Sequence, residues 1–576
     1  MYLYSTLYSA LVSCILPGIL SVCCAHKYRD VFRIYSLRIV RVLLLYFACI
    51  SRYLCPGTEM CTLEQLQRRV KYAKVMKGGS IQVKNMLEMG QLLQPLLMPA
   101  HVCDLVPAAE GALSVPVRDM LYVPMDAAAF DVHGACFTGP MQVKWIGQLC
   151  DLDYSFVLHI DGKHKLHHGK WLLITLGTHC LNWNKHHNAL GNTFVPLIYM
   201  FCKEHETLGS GQLICASLNK VALQYFGKKL VPGAGCTDHC QSFRRAMVEE
   251  WPTMQFGQCY PHIARKFGEG AYCKKTWKHM GEVQLDIRAI NLAGTKDMKA
   301  LLLGVIGADW DLKGKTMDKF WYSNCVEPWD CWSICDLECM LATPSNQTQE
   351  SWHKQLILKK IPGMFKASTA FVINTTLPLL AKIDGLSMSS KLQFEVETLP
   401  RDMVIKAMWY VDHKSTHFHT AKDRNGDIFY YFLAKANPGG FRKIGKINLA
   451  AYVDACQGIR HASCHTKERL IHFCQSFHFL YEFNDDTYSL PVCHWNPGNF
   501  TCPTCKGFKH VGICSHVLAT NHILELIDLD YLMGALCKPR KKGGQTQKPR
   551  PALQREAESS ECSTPPESDD EVPRIV

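Results

Sequence analysis

Short apolar runs bounded by turn residues fill positions 151–260, the pattern of a buried sheet with interleaved helices. Residues 156–160, 171–176 and 194–201 read as three successive strands, the first two joined by Asp161-Gly162 and a short polar loop. Residues 217–226 carry Leu218, Val221, Ala222 and Tyr225 at spacings of three and four, which predicts a helix. A fourth strand is expected over 229–236, a helix over 241–250 ending before Pro252, and a fifth strand over 254–260. The order βββαβαβ predicts an α/β fold whose mixed sheet has three antiparallel strands first and parallel additions after.

Either side of this block the pattern changes. Residues 62–97 are helical in spacing around Gly78-Gly79, and 99–149 read as irregular, broken by Pro107, Pro116, Pro124 and Pro140. Residues 274–345 are mostly helical, and a helix restarts over 347–360 with Ser345 or Asn346 as its cap. Apolar β-type segments surround 429–433 and 477–492. After Leu532 the apolar pattern is lost: 538–555 hold seven basic and no acidic residues, and 556–571 hold seven acidic and no basic ones. This tail is expected to be disordered.

Composition narrows the class. The 576 residues are 48% hydrophobic, 20% charged and 10% aromatic, which excludes global disorder, a collagen repeat and a small disulfide scaffold. Lys+Arg 63 against Asp+Glu 51 leaves a net +12, permitting a polyanionic partner. The 29 cysteines are scattered through apolar segments as well as clustered, which suits reduced thiols plus a metal site and favours a cytosolic or nuclear setting. Residues 1–25 lack any charge and are long enough to span a membrane. No basic residue precedes that run, Pro17-Gly18 interrupts it, and the apolar stretch 40–50 is too short to span, so a membrane partner is not expected.

The candidate chemistry lies in three carboxylates. Asp161 ends the first strand, Asp238 follows the fourth, and Glu350 sits on the helix after the long helical interval. If strands one and four are neighbours, both aspartates emerge at one edge, and a helix packed across it adds Glu350. Such a cluster can hold two divalent cations about 3.5–4 Å apart for in-line attack on a phosphodiester. Taken singly, each residue has a plainer reading: a turn dipeptide, a helix cap and a solvated glutamate.

The local sequences add to this. Phe156-Val157-Leu158-His159-Ile160-Asp161-Gly162, Thr237-Asp238-His239, Cys259-Tyr260-Pro261-His262 and Pro344-Ser345-Asn346-Gln347-Thr348-Gln349-Glu350-Ser351-Trp352-His353 together resemble the transposase core of Mutator-like (MULE) elements, over about residues 151–363. The resemblance implies an RNase H-like fold with a helical insertion before the last acidic residue. It implies that Asp161 bridges two Mg²⁺ or Mn²⁺ ions and that Asp238 and Glu350 each complete one site. Cys259 and His262 match the family's Cys-x-x-His, expected to shape the sheet edge or to coordinate. Arg265 and Lys266 suit phosphate contacts or a solvated helix face. Tryptophans 310, 321, 329 and 332 suit the core or base stacking.

Near the C-terminus, Cys502-Pro-Thr-Cys505 and Cys514-Ser-His516 offer four ligands in two tight pairs, the composition of a closed structural Zn²⁺ site. The stretch 500–523 resembles a SWIM zinc finger, a companion of Mutator-like cores. That motif begins Cys-x-Cys where this chain has Cys-x-x-Cys, and Cys493, His494 and His510 stand as alternatives to Cys502.

The expected organisation is an apolar extension (1–55), a helical or irregular region (56–150), an RNase H-like core (151–365, insertion about 274–345), a connecting α/β region (366–476), a SWIM-type finger (477–530) and a tail (531–576). The expected function is a nuclear, homo-oligomeric DDE-type DNA transposase that cuts double-stranded DNA at element ends and joins the 3′-ends to target DNA. Lys538-Pro-Arg-Lys-Lys542 is compatible with nuclear import. Before residue 151, cysteines 14, 23, 24, 49, 55 and 61 show no paired ligand spacing that would read terminal repeats. The alternative is therefore an inactive or host-adopted nuclear DNA-binding or interaction protein acting through its zinc finger.

Overall fold

The computed structural model describes residues 86–98, 120–164, 171–184, 189–203, 205–269, 279–311, 316–337, 342–355, 367–389, 391–394, 396–422, 426–436, 440–457, 466–482 and 494–537. The chain forms two compact units, Met1–Gln82 with Ala367–Phe371, and Val83–Lys366 with Val372–Val576. Of the first, only the short segment around a helical turn at Thr369–Phe371 is described, and every other element named below belongs to the second. The apolar run 1–25, the basic and acidic tail, Cys493 and the expected helix beyond Gln355 lie outside the described residues. Among the described residues no helix is long and apolar enough to cross a membrane.

In chain order, helix α1 (Met86–Leu93) precedes strands β1 (Leu121–Val123) and β2 (Gly134–Thr138), helix α2 (Pro140–Cys150), and strands β3 (Val157–Lys163), β4 (Leu172–Asn184) and β5 (Ala189–Cys202). Then come α3 (Leu208–Phe226), β6 (Ala234–Thr237), α4 (Gln241–Glu250) and β7 (Gln255–Gln258). Among the described residues these strands form one sheet in the order β1-β2-β5-β4-β3-β6-β7. Neighbours from β1 to β3 pair antiparallel, whereas β3, β6 and β7 run parallel. The fold is mixed α/β, and the βββαβαβ order of the apolar runs is that of β3 to β7.

Three departures have local causes. The sheet begins at Leu121, not near 151, because β1 and β2 add to the β5 edge; β2 is buried throughout and short, so it shows neither alternation nor length. Asp161-Gly162 is not a turn but strand, with Asp161 opposite Thr175 and Gly162 opposite Ile174. Helix α3 starts nine residues earlier than the apolar spacing suggests, at a capping box in which Thr207 and Ser210 exchange side-chain and backbone bonds.

After β7 come α5 (Tyr260–Glu269), α6 (Met280–Asn291), α7 (Lys296–Asp311), α8 (Thr316–Asn324) and then α9 (Gln347–Gln355), which carries Glu350. Trp310 and Trp332 are buried in the core of this helical block with Phe267 and Phe320, so both serve packing. Trp329 is partly exposed and stacks on His239 at 4.0 Å.

The remaining elements are α10 (Leu377–Ser387), α11 (Arg401–Asp412), α12 (Lys414–His417), β8 (Phe418–Lys422), β9 (Ile428–Leu433), α13 (Lys446–Cys456), α14 (Lys467–Ser476), β10 (Phe477–Glu482), β11 (Phe500–Thr501), α15 (Lys506–Val511), α16 (Ser515–Ile523) and α17 (Leu529–Cys537). Strands β11-β10-β9-β8 make a second, antiparallel sheet. Helix α17 shows that ordered structure runs past the expected start of the tail at 531. Lys467 of α14 clamps the insertion by reaching Glu282 at 2.9 Å, Asp286 at 2.8 Å and Asp309 at 2.5 Å.

Helix α9 is seated on the sheet by polar groups inside an apolar surround. Asp384 of α10 accepts the Tyr199 hydroxyl of β5 at 2.8 Å and the Trp352 indole N–H of α9 at 3.1 Å. Asp384→Ala removes a shared buried acceptor, at about 1–3 kcal/mol for each donor left behind. Urea denaturation should show the midpoint falling accordingly; an unchanged midpoint would mean that the carboxylate does not hold α9.

Candidate active site and a cysteine and histidine cluster

The positions of the two aspartates follow from register. Val157, Leu158 and His159 of β3 pair with Ala234, Gly235 and Cys236 of β6, so two residues further on Asp161 stands level with Asp238. Thr237 pairs with Gln258 of β7, which brings Cys259 level in turn. Asp238 and Cys259 directly follow β6 and β7, while Asp161 lies near the C-terminal end of β3 and is still paired with β4.

Asp161 is held at both oxygens. Oδ1 accepts the Gly162 N–H at 2.8 Å, and Oδ2 lies 3.2 Å from Nδ1 of His353 on α9. Asp238 does not cap α4, whose N-cap is Cys240. Burial, and then the charge of Asp161, pushes its carboxyl above the usual range, against the opposing pull of His262 and Lys266. Glu350 faces α5: Oε1 is 3.2 Å from Nδ1 of His262 and Oε2 is 3.7 Å from Nη1 of Arg265. Asp161, Gly162, Lys163, His262, Glu350, His353 and Lys354 line one open cleft.

The Cys-x-x-His does two separate jobs. Cys259 Sγ accepts the Asn346 N–H at 3.2 Å, and the Asn346 carbonyl accepts the Glu350 N–H at 3.0 Å, so the cysteine sets where α9 begins. Burial pushes its thiol up to about 12, which keeps it neutral. His262 instead faces the Glu350 carboxylate. The ligand atoms of Cys259, His262 and Glu350 lie within 4.8 Å of one another, close enough to share one metal ion. Of the expected phosphate contacts, Arg265 is on Glu350 and Lys266 lies in the field of Asp238, its ammonium pulled down by burial.

Comparison of the sequence with protein-family models and with curated proteins finds no match to either.

A further carboxylate stands beside Gly162, within the field of Asp238 and Asp161, without any sequence signal. Glu206 stands in the loop between β5 and α3, its Oε1 4.0 Å from Nε2 of His164. A Cβ on Gly162 would lie 2.5 Å from that Oε1, so the glycine next to Asp161 is what admits the carboxylate. Burial, then the charges of Asp238 and Asp161, push Glu206 up to about 7, opposed by a hydrogen bond from Cys240. The donor type, carboxylate oxygen, suits a hard cation, but among the described residues Asp161, Asp238 and Glu350 do not gather their oxygens within 4.8 Å of one another as the ligand atoms of Cys259, His262 and Glu350 do.

The four residues read as a zinc set do converge. Cys502 follows β11, Cys505 caps α15, Cys514 caps α16, and His516 lies in the first turn of α16; one ligand atom from each lies within 4.8 Å of the others. Nδ1 of His516 is 3.8 Å from Cys502 Sγ and 3.7 Å from Cys514 Sγ, while Nε2 is 3.1 Å from the Tyr410 hydroxyl of α11. That outer partner orients the ring with Nδ1 toward the sulfurs, the usual arrangement behind a metal-binding histidine. Hydrogen bonds from Cys502 and Cys514 hold Cys505 well below its ordinary range, whereas burial pushes the thiols of Cys502 and Cys514 well above theirs. His510 is turned away to Asn192, whose amide reaches its ring at 3.3 Å and its carbonyl at 3.1 Å. The extra residue between Cys502 and Cys505 therefore does not displace Cys502.

Glu206 gives the site a pH signature. Between its ordinary value of 4.5 and about 7, the folded chain keeps a proton that the unfolded chain has lost, so this group lowers stability as pH rises through that window. Glu206→Gln in chelator should melt above the parent at pH 8 and equal to it near pH 4; equal melting at both would place Glu206 outside the aspartates' field.

Proposed function

We propose that this chain is a DDE-type DNA transposase of the Mutator-like kind, with an RNase H-like core and a SWIM-type zinc finger, that hydrolyses DNA at element ends and transfers the 3′-ends to a target. The observation that carries this reading is the arrangement of Asp161 and Asp238 level on adjacent parallel strands, with α9 bringing Glu350 to the cleft that Asp161 lines. The strand order supports it, since β5-β4-β3-β6-β7, with β4 antiparallel to its neighbours, is that expected of an RNase H-like core. The helical block between β7 and α9 stands where the resemblance puts the insertion.

Asp161, Asp238 and Glu350 would hold two Mg²⁺ or Mn²⁺ ions. When bound in such a site, the pair of ions activates the attacking water or 3′-hydroxyl and stabilises the leaving oxygen. The chain's own contribution is geometric and electrostatic. Asp161 is oriented at both oxygens before any ligand arrives, and positive charge would oppose the burial and the mutual repulsion that raise Asp238 and Glu206. Arg265 and Lys266 sit where a phosphodiester would approach the carboxylates and would help to neutralise it. Cys502, Cys505, Cys514 and His516 would hold one structural Zn²⁺, with Tyr410 behind the histidine. Nuclear location and an oligomer acting on two DNA ends belong to this reading.

One observation favours the second reading, a nuclear DNA-binding or interaction protein working through its zinc finger: the oxygens of Glu350 face His262 and Arg265. A nicking assay separates the two. The purified full chain should cut a labelled duplex in Mn²⁺, and Asp161→Asn, Asp238→Asn and Glu350→Gln should each abolish cutting while leaving DNA binding intact. Each chain should carry one zinc, lost in Cys505→Ser. A parent protein that binds DNA and zinc but never cuts would transfer the conclusion to the second reading.

A further inference from the structure

Beside the carboxylates lies a buried chain of hydrogen bonds that begins on α9 and returns to Asp161. Gln349 is fully buried, and its Nε2 donates to the Thr175 carbonyl at 2.9 Å and to Thr175 Oγ1 at 2.8 Å. Thr175 Oγ1 is in turn 3.3 Å from Nε2 of His353, and Nδ1 of His353 is 3.2 Å from Asp161 Oδ2. Thr175 is also the residue directly opposite Asp161 across β3 and β4, so the two side chains share one face of the sheet.

The amide orientation at the head of this chain follows from its partners. A carbonyl can only accept, so the Thr175 carbonyl turns the NH₂ end of Gln349 toward it and away from the alternative amide orientation. The same NH₂ group donates to Thr175 Oγ1, and that hydroxyl in turn meets Nε2 of His353. The imidazole is thereby bracketed between the Thr175 hydroxyl on one nitrogen and the Asp161 carboxylate on the other.

We propose that His353 is a positioning residue: it fixes the Asp161 carboxylate in one orientation and couples it to α9, which carries Glu350 three residues away. The inference rests on the reading of Asp161 as a metal ligand. A carboxylate free to rotate would lose orientational entropy on each binding event; one clamped by Gly162 N–H and His353 has already lost it. Because Gln349 and His353 are both on α9, any displacement of that helix moves Glu350 and releases Asp161 together. Outer partners of this kind are typically worth about 10–100-fold in metal affinity or activity.

The test uses the full chain and three variants. His353→Asn keeps an N–H donor near the place of Nδ1, His353→Phe keeps bulk but no donor, and Thr175→Val keeps shape but removes the hydroxyl that holds the ring at Nε2. Mn²⁺ affinity is read by electron paramagnetic resonance without DNA, and kcat and KM are read from duplex nicking. His353→Phe should weaken Mn²⁺ binding by about 10–100-fold and lower kcat with KM for the duplex unchanged. His353→Asn should recover most of both, and Thr175→Val should fall between. Parental Mn²⁺ affinity and kcat in His353→Phe would overturn the proposal, as would His353→Asn being as impaired as His353→Phe when both melt like the parent. Should His353→Phe fail to fold, Thr175→Val decides: parental Mn²⁺ affinity there overturns the proposal. Asp161→Asn runs alongside, because unchanged Mn²⁺ binding and nicking in that variant sinks the metal-site reading itself, whereas a silent His353→Phe beside an inactive Asp161→Asn sinks only the role of His353.

Discussion

Parallel pairing of β3 with β6 is the constraint on which the site depends. Its hydrogen bonds join Val157–His159 to Ala234–Cys236, and the next positions on the same faces of the two strands are Asp161 and Asp238. A slip of one residue would turn one aspartate to the opposite face. The register is protected by burial: Val157, Leu158, Ile160, Ala234 and Cys236 are all inside, and a shifted strand would trade apolar for polar contacts on both faces. The two carboxylates thus repel each other because the apolar core requires their strands to be neighbours.

Bringing the third carboxylate to them is a different problem, since the chain leaves the sheet after β7 and returns only at α9. The intervening helices share one core with α13, α14, β9 and β10, and Lys467 of α14 fastens them through three carboxylates. Helix α9 then docks through specific polar contacts: Asn346 on Cys259, Gln349 and His353 on Thr175, and Trp352 on Asp384. Polar docking in a buried place selects one orientation, because any other leaves donors and acceptors unsatisfied. Apolar packing alone would tolerate rotation of a nine-residue helix, and with it the loss of Glu350 from the cleft.

The Cys/His cluster is attached by similar logic. His516 reaches the cluster with one nitrogen and Tyr410 of α11 with the other, so this imidazole adds a polar link where α11 already shares a core with α16. Tyr410 packs against Phe432 of the second sheet as well, which ties the cluster to that sheet.

Much of this was written in the residues themselves. Apolar runs of strand length with turn residues between them specify β3 to β7 and α4, because a buried strand or an amphipathic helix imposes its own period on the chain. The paired spacing of Cys502, Cys505, Cys514 and His516 specifies a cluster, because two close pairs need only one loop to meet. Strands β1 and β2 were hidden by their shortness, and Asp161-Gly162 imitates a turn although it lies within β3. No local pattern could mark Glu206, or assign Cys259 to the start of α9 and His353 to Asp161. Those roles belong to pairs of atoms far apart in the chain, and only register and helix docking decide which distant side chains share the same few ångströms.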